Sequence, residues 1–152
     1  MKIFFDGDRH GRKLAKQLFE FFSELYDCSF LGKLESDPYP LVAANMAQKV
    51  LETPNSYGVL VCHTGIGMSI IANKFNGVYA NNCKTIEECL NFKQKNNGNI
   101  LCLSESEFDF YKSKIICDTF FNAEFDESNR IRIDLIEKIF PIKIENEPPI
   151  EM

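Results

Sequence analysis

The stretch Val59-Leu60-Val61-Cys62-His63-Thr64-Gly65-Ile66-Gly67-Met68-Ser69-Ile70 leads from an apolar run into a loop with two glycines. The continuous apolar run over residues 57–62 is typical of a strand that is buried on both faces, as in a parallel sheet. Glycines after such a strand let the backbone approach a ligand closely. A helix is predicted over residues 69–75. The stretch therefore predicts a buried strand, a ligand-binding loop and a helix in succession.

The rest of the chain repeats this alternation of strands and helices. Further strands are predicted over residues 2–5, 28–31, 78–81 and 99–103. Further helices are predicted over residues 12–26, 41–51, 85–96, 107–121 and 129–139, the third of them opened by a capping box at 85–88 and ended by the Asn-Gly pair at 97–98. The pattern predicts an α/β protein with a three-layer α/β/α Rossmann-like fold and a five-stranded parallel sheet. We assign residues 1–140 to a single domain and residues 141–152 to a C-terminal tail, whose prolines and acids predict a loose arm.

Composition excludes several classes of function. The net charge of −5 and the absence of a run of Lys or Arg argue against nucleic acid and anionic membranes as partners. The chain has no apolar leader after Met1 and no segment long enough to span a membrane. Six cysteines without a CxxC pair indicate buried, reduced thiols, so we expect a cytoplasmic protein. With two histidines and no ligand-like spacing, we expect no metal site.

The loops after the first and third strands hold the candidate site, because ligands of parallel sheets bind beyond the carboxyl ends of the strands. Cys62 lies where the third strand ends, and the following backbone N–H groups and helix dipole favour an anion and a lowered thiol pKa. The alternative is a tight turn beside a structural cysteine, since free cysteines are often buried. A nucleotide P-loop is excluded because no Gly-Lys-Ser/Thr follows, and a cysteine phosphatase because Met68 replaces the required arginine.

The thirteen residues from Cys62 to Lys74 resemble the signature of the ribose-5-phosphate isomerase B and galactose-6-phosphate isomerase family. Weaker similarity covers most of the chain, at residues 8–11, 39–40 and 96–101. The resemblance implies interconversion of aldose and ketose phosphates with neither metal nor cofactor. It also implies that catalytic groups come from two chains, so we expect a homodimer or a higher oligomer, with a hetero-oligomer as an alternative.

The resemblance implies roles for individual residues. Cys62 is the base that moves a proton between C1 and C2 through an enediolate. Thr64 and the backbone N–H groups of a five-residue run stabilise the developing negative charge, as an oxyanion hole does. That run consists of Gly65, Ile66, Gly67, Met68 and Ser69. Asp8 binds substrate hydroxyls or relays a proton, with helix capping as the alternative. Asn96 holds sugar hydroxyls, often across a subunit boundary.

The chain also departs from the family pattern. Lys95 replaces the histidine that ring-opening members carry before the asparagine, and Tyr79 replaces a strand-four arginine. The C-terminal Gly-Gly-Arg-His of many members is replaced by the four residues that end at Arg130. The candidate cations for the substrate phosphate are therefore Arg9, Lys95 and Arg130. Arg12 and Arg132 are further candidates, and they equally fit a solvated helix face. His10 is assigned to substrate binding because it lies beside Asp8.

Two hypotheses follow from these matches and departures. The first is an active aldose–ketose isomerase, and the second is a non-catalytic or partner-dependent subunit that binds sugar phosphate. If the enzyme is active, Lys95 favours a substrate that needs no ring opening, because lysine is almost wholly protonated near neutral pH and is a poor base. A four-carbon sugar 4-phosphate is such a substrate. In the competing interpretation His10 or His63 replaces the missing histidine, and the substrate is a pentose or hexose phosphate.

Overall fold

The computed structural model describes residues 1–32 and 38–143. Within them five strands alternate with six α-helices and one short 3₁₀ helix. The strands are β1 (Lys2–Gly7), β2 (Asp27–Phe30), β3 (Ser56–Cys62), β4 (Ala80–Asn82) and β5 (Ile100–Ser104). The helices are α1 (Arg12–Phe22), α2 (Tyr39–Glu52), α3 (Ile66–Ala72), α4 (Ile86–Asn96), α5 (Phe110–Asn122) and α6 (Arg130–Ile139), with the 3₁₀ turn Glu127–Asn129 before α6.

All the strand pairs are parallel, and the strand order is β2-β1-β3-β5-β4. The chain moves from β1 outward to β2 and then returns to β3 on the other side of β1, so the strand order reverses between β1 and β3. The register pairs Gly7 with Val61 and Cys62 with Ser104. The carboxyl ends of β1, β3 and β5 therefore meet at one edge of the sheet, where ligands of such sheets bind.

Helices cover both faces of the sheet, which confirms the predicted three-layer α/β/α arrangement. Strand residues alternate between the two faces, as the period of two in a strand requires. One face packs against α1, α4 and α5 and is rich in phenylalanine, including Phe5, Phe22 and Phe120. The other packs against α2 and α3, and Cys62 belongs to this face. The α2–α3 face is built from smaller or flexible side chains, of which Ala43, Met46, Ala47, Met68 and Ala72 are examples.

One charged side chain is buried within the phenylalanine-rich side. Lys93, in the last turn of α4, is only 3 % exposed. Its Nζ lies 3.4 Å from the ring centroid of Tyr57 and 4.3 Å from that of Phe120. Nζ has no hydrogen-bond partner among the described residues. Burial lowers the pKa of Lys93 to about 7, an effect that the nearby Cys89 partly opposes.

Four helix boundaries differ from the prediction by three residues or more. α1 ends at Phe22 and not at residue 26, because Ser23 turns its hydroxyl back to the Phe19 carbonyl. α3 begins at Ile66 and not at residue 69, and it ends at Ala72 and not at residue 75. α5 begins at Phe110 and not at residue 107, because the Asp109 carboxylate caps it by accepting from the Lys112 N–H at 2.9 Å. The predicted end of α4 is confirmed, with Asn97 in the left-handed conformation at φ 52°.

The outer strands of the sheet are short. β2 has four residues and β4 has three, whereas the central β3 has seven. β4 begins two residues later than predicted because Val78 and Tyr79 lie outside the ladder. There the Tyr79 N–H donates to the Asn99 side chain at 2.8 Å.

All six cysteines are free thiols, and five of them are buried as predicted, whereas Cys28 is partly exposed. None of the helices in the described ranges combines the length and apolarity that crossing a bilayer requires. The predicted loose arm over residues 145–152 lies outside the described residues, as does the rest of the tail beyond residue 143.

Candidate active site

The Cys62 thiol lies at the carboxyl end of the central strand and is only 5 % exposed. Its Sγ accepts a hydrogen bond from the Gly65 N–H at 3.0 Å. Burial raises the pKa of the thiol, the N–H groups of Gly65, Met68 and Thr64 oppose that rise, and the Asp8 carboxylate adds to it. The net direction is opposite to the lowered pKa predicted from the helix end. Desolvation by the α2–α3 face outweighs the backbone donors.

The loop after Cys62 is fixed by its own hydrogen bonds. Gly65 has φ 77°, a left-handed conformation that favours glycine, and α3 begins at the next residue. The Thr64 hydroxyl oxygen accepts from the Ile66 N–H at 3.3 Å, and the Ser69 hydroxyl donates to the Gly65 carbonyl at 2.9 Å. Gly67 lies against the Tyr39 ring, so close that a Cβ there would be 2.7 Å from it. The predicted binding run thus forms one tight turn and the first part of a helix.

The loop after β1 packs against the carboxyl end of β3. The Asp8 carboxylate is buried, and its Oδ1 accepts from the His10 and Gly11 N–H groups at 3.0 and 2.9 Å. Asp8 therefore holds the turn that leads into α1, whose N-cap is Gly11, and it also lies close enough to Cys62 to raise the pKa of the thiol. A Cβ on Gly11 would lie 1.9 Å from the Val61 carbonyl oxygen. Glycine at this position lets the Asp8 loop touch β3.

The loop after β5 is the third loop at this edge of the sheet, and it contacts the Cys62 loop. The Glu105 N–H donates to the Cys62 carbonyl at 2.9 Å, and the Ser104 hydroxyl donates to the His63 carbonyl at 2.7 Å. The Glu105 carboxylate is 2.7 Å from Nδ1 of His63. Glu105 is not among the predicted site residues, although an acid directly after a buried strand of a parallel sheet is a usable signal. Asn82 is not among them either, and its side chain donates to the Thr64 carbonyl at 2.8 Å.

The structure separates the other predicted binding residues from the Cys62 loop of the same chain. α4 runs from the end of β4 to the start of β5, so Lys95 and Asn96, at its end, lie at the amino edge of the sheet. Its 11 residues span roughly 16 Å. Asn96 lines an open groove of about 390 Å³ beside β4. Arg130 is held by the Glu127 carboxylate through two contacts of 3.0 Å, next to this edge.

Of the predicted site residues, nine lie at the carboxyl edge with Cys62. They are Asp8, Arg9, His10, Thr64, Gly65, Ile66, Gly67, Met68 and Ser69. Arg9 and His10 are exposed, and the Arg9 Nε donates to Nε2 of His10 at 3.4 Å. The Met68 side chain is fully buried, so only its backbone faces the loop.

Comparison with known proteins identifies this arrangement. Residues 3–136 match the model of the Ribose/Galactose Isomerase family. The chain belongs to the ribose/galactose isomerase family. This confirms the resemblance drawn from the Cys62–Lys74 signature. Similar proteins are named sugar-phosphate isomerases, which are intramolecular oxidoreductases.

Similar sequences include isomerases of four- and five-carbon sugars. The chain is 32% identical over 107 residues to a 4-deoxy-4-sulfo-D-erythrose isomerase of Clostridium sp. (strain MSTE9), covering 68% of this chain and 67% of that one. It is 33% identical over 100 residues to a D-erythrulose-4-phosphate isomerase of Pectobacterium atrosepticum, covering 66% of each chain. A probable ribose-5-phosphate isomerase B of Mycoplasma pneumoniae is 38% identical over 100 residues, covering 63% of this chain and 65% of that one. The chain thus matches slightly under two thirds of the length of the last two relatives.

Solved structures of the ribose/galactose isomerase family match the fold over nearly the whole chain. Ribose-5-phosphate isomerase B from Mycoplasma genitalium, solved with bound ribulose-5-phosphate, has a TM-score of 0.84 and 30% identity, covering 91% of this chain and 95% of that one. The Thermotoga maritima enzyme has a TM-score of 0.83 and 29% identity, covering 90% of this chain and 97% of that one.

Proposed function

We propose that this member of the family is an aldose–ketose isomerase of a phosphorylated sugar, with Cys62 as its base. The observation that carries the proposal is the position of the Cys62 thiol at the carboxyl end of the central strand, bonded to the Gly65 N–H and close to Asp8. The Cys62 thiolate removes the proton from C2 of the aldose, and the electron pair forms the C1–C2 double bond of an enediolate. The thiol then returns the proton to C1, while a second proton moves from O2 to O1.

Negative charge develops on the carbonyl oxygen during this transfer. We assign the stabilisation of that charge to Thr64 and the backbone N–H groups from Gly65 to Ser69. Of this run, the N–H groups of Gly65 and Met68 bond toward the Cys62 sulfur, whereas the Ser69 N–H donates to the Gly65 carbonyl at 3.4 Å. Asp8 binds the substrate hydroxyls or moves the proton between the two oxygens. The raised pKa of Cys62 makes its thiolate a stronger base, although a smaller fraction of the thiol is ionised at neutral pH.

We propose a homodimer or a higher oligomer in which a second copy completes the site. Within one chain, the predicted cations at the carboxyl edge are Arg9 and Arg12, and Arg12 pairs with the Asp6 carboxylate at 3.9 Å. Lys95, Asn96 and Arg130 lie at the other edge of the sheet. Apolar side chains exposed on α3 and α6 are suited to a contact between copies. They are Ile66, Ile70, Ile131, Leu135, Ile136 and Ile139, with Phe140 directly after α6. A hetero-oligomer remains the alternative assembly.

The shared site can be tested by mixing two inactive variants. Cys62→Ala removes the base and Asn96→Ala removes the sugar contact that a neighbour supplies. After the two variants are unfolded and refolded together, about a quarter of the sites in randomly paired dimers are intact, so activity returns. Each variant refolded alone stays inactive. Failure of the mixture to regain activity, with both variants shown to be oligomeric, contradicts a site shared between copies.

For the substrate we propose a four-carbon sugar with a terminal phosphate. Lys95 stands where ring-opening members of the family carry a histidine, and a tetrose 4-phosphate cannot close a ring through its phosphorylated oxygen. The Clostridium and Pectobacterium relatives, both named for four-carbon substrates, support this assignment. The test compares kcat/KM on erythrose 4-phosphate and on ribose 5-phosphate. A clear preference for the tetrose is expected, and a preference for ribose 5-phosphate overturns the assignment.

The variant Lys95→His sharpens this test. If position 95 decides ring opening, the variant gains activity on ribose 5-phosphate relative to the tetrose. An unchanged ratio shows that ring opening is decided elsewhere. The second candidate is a pentose phosphate isomerase in which His63, held by Glu105 at 2.7 Å, opens the ring. It predicts that His63→Ala lowers activity on ribose 5-phosphate while activity on the open-chain tetrose changes little.

A partner-dependent subunit is the alternative from a different class. It is distinguished by incubating the purified chain alone with sugar phosphate in deuterated water. Exchange of the C2 proton shows that the chain catalyses the proton transfer by itself, and absence of exchange supports the subunit role. We also place the protein in the cytoplasm, where free thiols persist.

A further inference from the structure

The three loops of the candidate site bring together a set of side chains that the sequence keeps far apart. His10 follows β1, His63 follows β3 and Glu105 follows β5. One ligand atom from each of these side chains lies within 4.8 Å of the other two. The two imidazole rings are 5.5 Å apart between centroids, and Glu105 is 2.7 Å from Nδ1 of His63. The fold thus forms a cluster of metal-ligand side chains that residue spacing in the sequence does not predict.

Two imidazoles and one carboxylate are donors that suit divalent transition metals. Zinc binds histidine nitrogen and carboxylate oxygen at about 2.0–2.2 Å, and three protein ligands leave a fourth position open. Neighbouring ligands on a tetrahedral ion are therefore roughly 3.4 Å apart. One ligand atom from each of the three side chains lies within 4.8 Å of the other two, and the 2.7 Å contact between His63 Nδ1 and Glu105 is a hydrogen bond that ligation of an ion by both groups would have to replace. The His10 and His63 side chains are exposed and can rotate toward the ligand spacing when an ion binds.

The backbone that carries these side chains is held in place. Glu105 and Ser106 donate their N–H groups to the Cys62 and His63 carbonyls at 2.9 and 3.1 Å. The His10 N–H is bonded to the buried Asp8 carboxylate at 3.0 Å. The loops are therefore fixed to one another and to the sheet before any ion binds, and such preorganisation lowers the cost of binding.

One neighbouring group opposes a cation. Arg9 places its Nε 3.4 Å from Nε2 of His10, at the long limit of a hydrogen bond. An exposed arginine can leave that position at small cost. The carboxylate of Glu105 offsets the charge of an ion, and the buried Asp8 carboxylate lies beside the same loop.

We propose that His10, His63 and Glu105 form a binding site for a divalent transition metal of the zinc and cobalt class, with an open coordination position, at the mouth of the candidate active site. The proposal does not depend on the isomerase activity. Binding is measured on the metal alone, so its failure and the failure of the proposed function are separate outcomes.

The test uses tag-free, chelator-treated protein titrated with Co²⁺ and followed by visible absorption, and with Zn²⁺ followed by calorimetry. One ion per chain is expected. His63→Ala and Glu105→Gln should each weaken binding at least about tenfold, since loss of a ligand costs more than loss of the groups that orient it. Arg9→Gln should tighten binding, because it removes the opposing cation. Thermal unfolding of each variant confirms that the exposed substitutions leave the fold intact.

Two control variants make the result specific. Glu107→Gln removes an exposed acid of a nearby loop, whose carboxylate pairs with Lys84 at 3.2 Å, and should leave binding unchanged. Cys62→Ser should also retain one bound ion with the same visible spectrum. The proposal is overturned if no ion binds at millimolar concentration, or if His63→Ala and Glu105→Gln bind as tightly as the unmodified chain. Loss of binding in Cys62→Ser, together with a sulfur-to-cobalt band in the unmodified chain, assigns the ion to the thiol and likewise overturns the proposal.

Discussion

Cys62 at the carboxyl edge of the sheet and Lys93 at its amino edge are both buried ionisable side chains, and their surroundings differ. At the carboxyl edge, burial raises the pKa of the Cys62 thiol, but backbone N–H groups point at its sulfur. At the amino edge, burial lowers the pKa of Lys93 to about 7, and its Nζ lies over the Tyr57 and Phe120 rings with no hydrogen-bond partner among the described residues. Burial favours the neutral form of both groups. The N–H donors stabilise the Cys62 thiolate, whereas the aromatic rings around Lys93 offer its ammonium no hydrogen bond.

This difference separates a reactive group from a structural one. A group that must change its charge during a reaction needs donors already aimed at the charged form. A side chain whose role is packing needs no such donors. If it stays charged when buried, it lowers the stability of the fold, so its neutral form is favoured. The comparison therefore predicts that changes at the carboxyl edge alter activity, while changes at the amino edge alter stability and its dependence on pH.

The largest effect is expected for Cys62→Ala. Loss of a positioned base should lower kcat at least about a hundredfold, while the melting temperature and phosphate binding change little. Cys102→Ala is the matched control, because Cys102 is also a buried thiol on the same face of the sheet, in the neighbouring β5. It should lose stability from the cavity and keep its turnover. Near-normal turnover of Cys62→Ala would show that the thiol is not the base.

Gly11→Ala tests whether close contact between the loops matters. The added Cβ would meet the Val61 carbonyl at 1.9 Å, so the Asp8 loop must move away from β3. A displacement of this kind should lower kcat/KM by about tenfold to a hundredfold. Gly58→Ala is the control on the same strand near its amino end, where the new Cβ meets the flexible Met46 side chain at 2.7 Å. If both variants lose activity equally, the effect is general destabilisation and not a displaced site.

Lys93→Met should change the pH dependence of stability. The pKa of Lys93 is about 7 in the folded protein and about 10.4 when unfolded, so the unfolded chain binds an extra proton between these values. The stability contribution of Lys93 is therefore fully present above pH 10 and is lost as the pH falls to 7. The free energy of unfolding of the unmodified chain should rise by about 2–3 kcal/mol relative to Lys93→Met between pH 7 and pH 9.

Urea unfolding at several pH values measures this difference. Contributions to the pH dependence that are common to both proteins cancel in the comparison. Lys95→Met is the control, because Lys95 is exposed two residues further along the same helix. It should track the unmodified chain at every pH. Parallel curves for Lys93→Met and the unmodified chain would mean that Lys93 keeps its charge when buried.

The sequence predicts the sheet and its site edge because the signals are local. The apolar run that ends at Cys62, the cap at Thr85 and the turn at Asn97 all act within a few residues, and the structure contains each of them. α3 begins three residues before its predicted start. The prediction is late because the two glycines in the sequence indicate a loop. In the fold, Gly67 belongs to the helix because the Tyr39 ring of α2 packs directly on it. That contact joins residues far apart in the chain.

The remaining site features also depend on tertiary structure. The direction of the Cys62 pKa follows from how deeply α2 and α3 bury the thiol, which no local pattern gives. His10, His63 and Glu105 meet only because β1, β3 and β5 are neighbours in the sheet. Lys95 and Asn96 match the family in sequence, but their place at the opposite edge follows from the direction of α4.

The short outer strands have a consequence for how the chain behaves in concentrated solution. An open sheet exposes unpaired N–H and C=O groups along its rims, where another molecule can add as a further strand and begin a fibril. In this sheet the rims are β2 and β4, of four and three residues, while the longest strand lies in the middle. Each rim offers too few backbone groups for a lasting strand addition. Self-association should therefore proceed through side chains of the helices and not through continuation of the sheet.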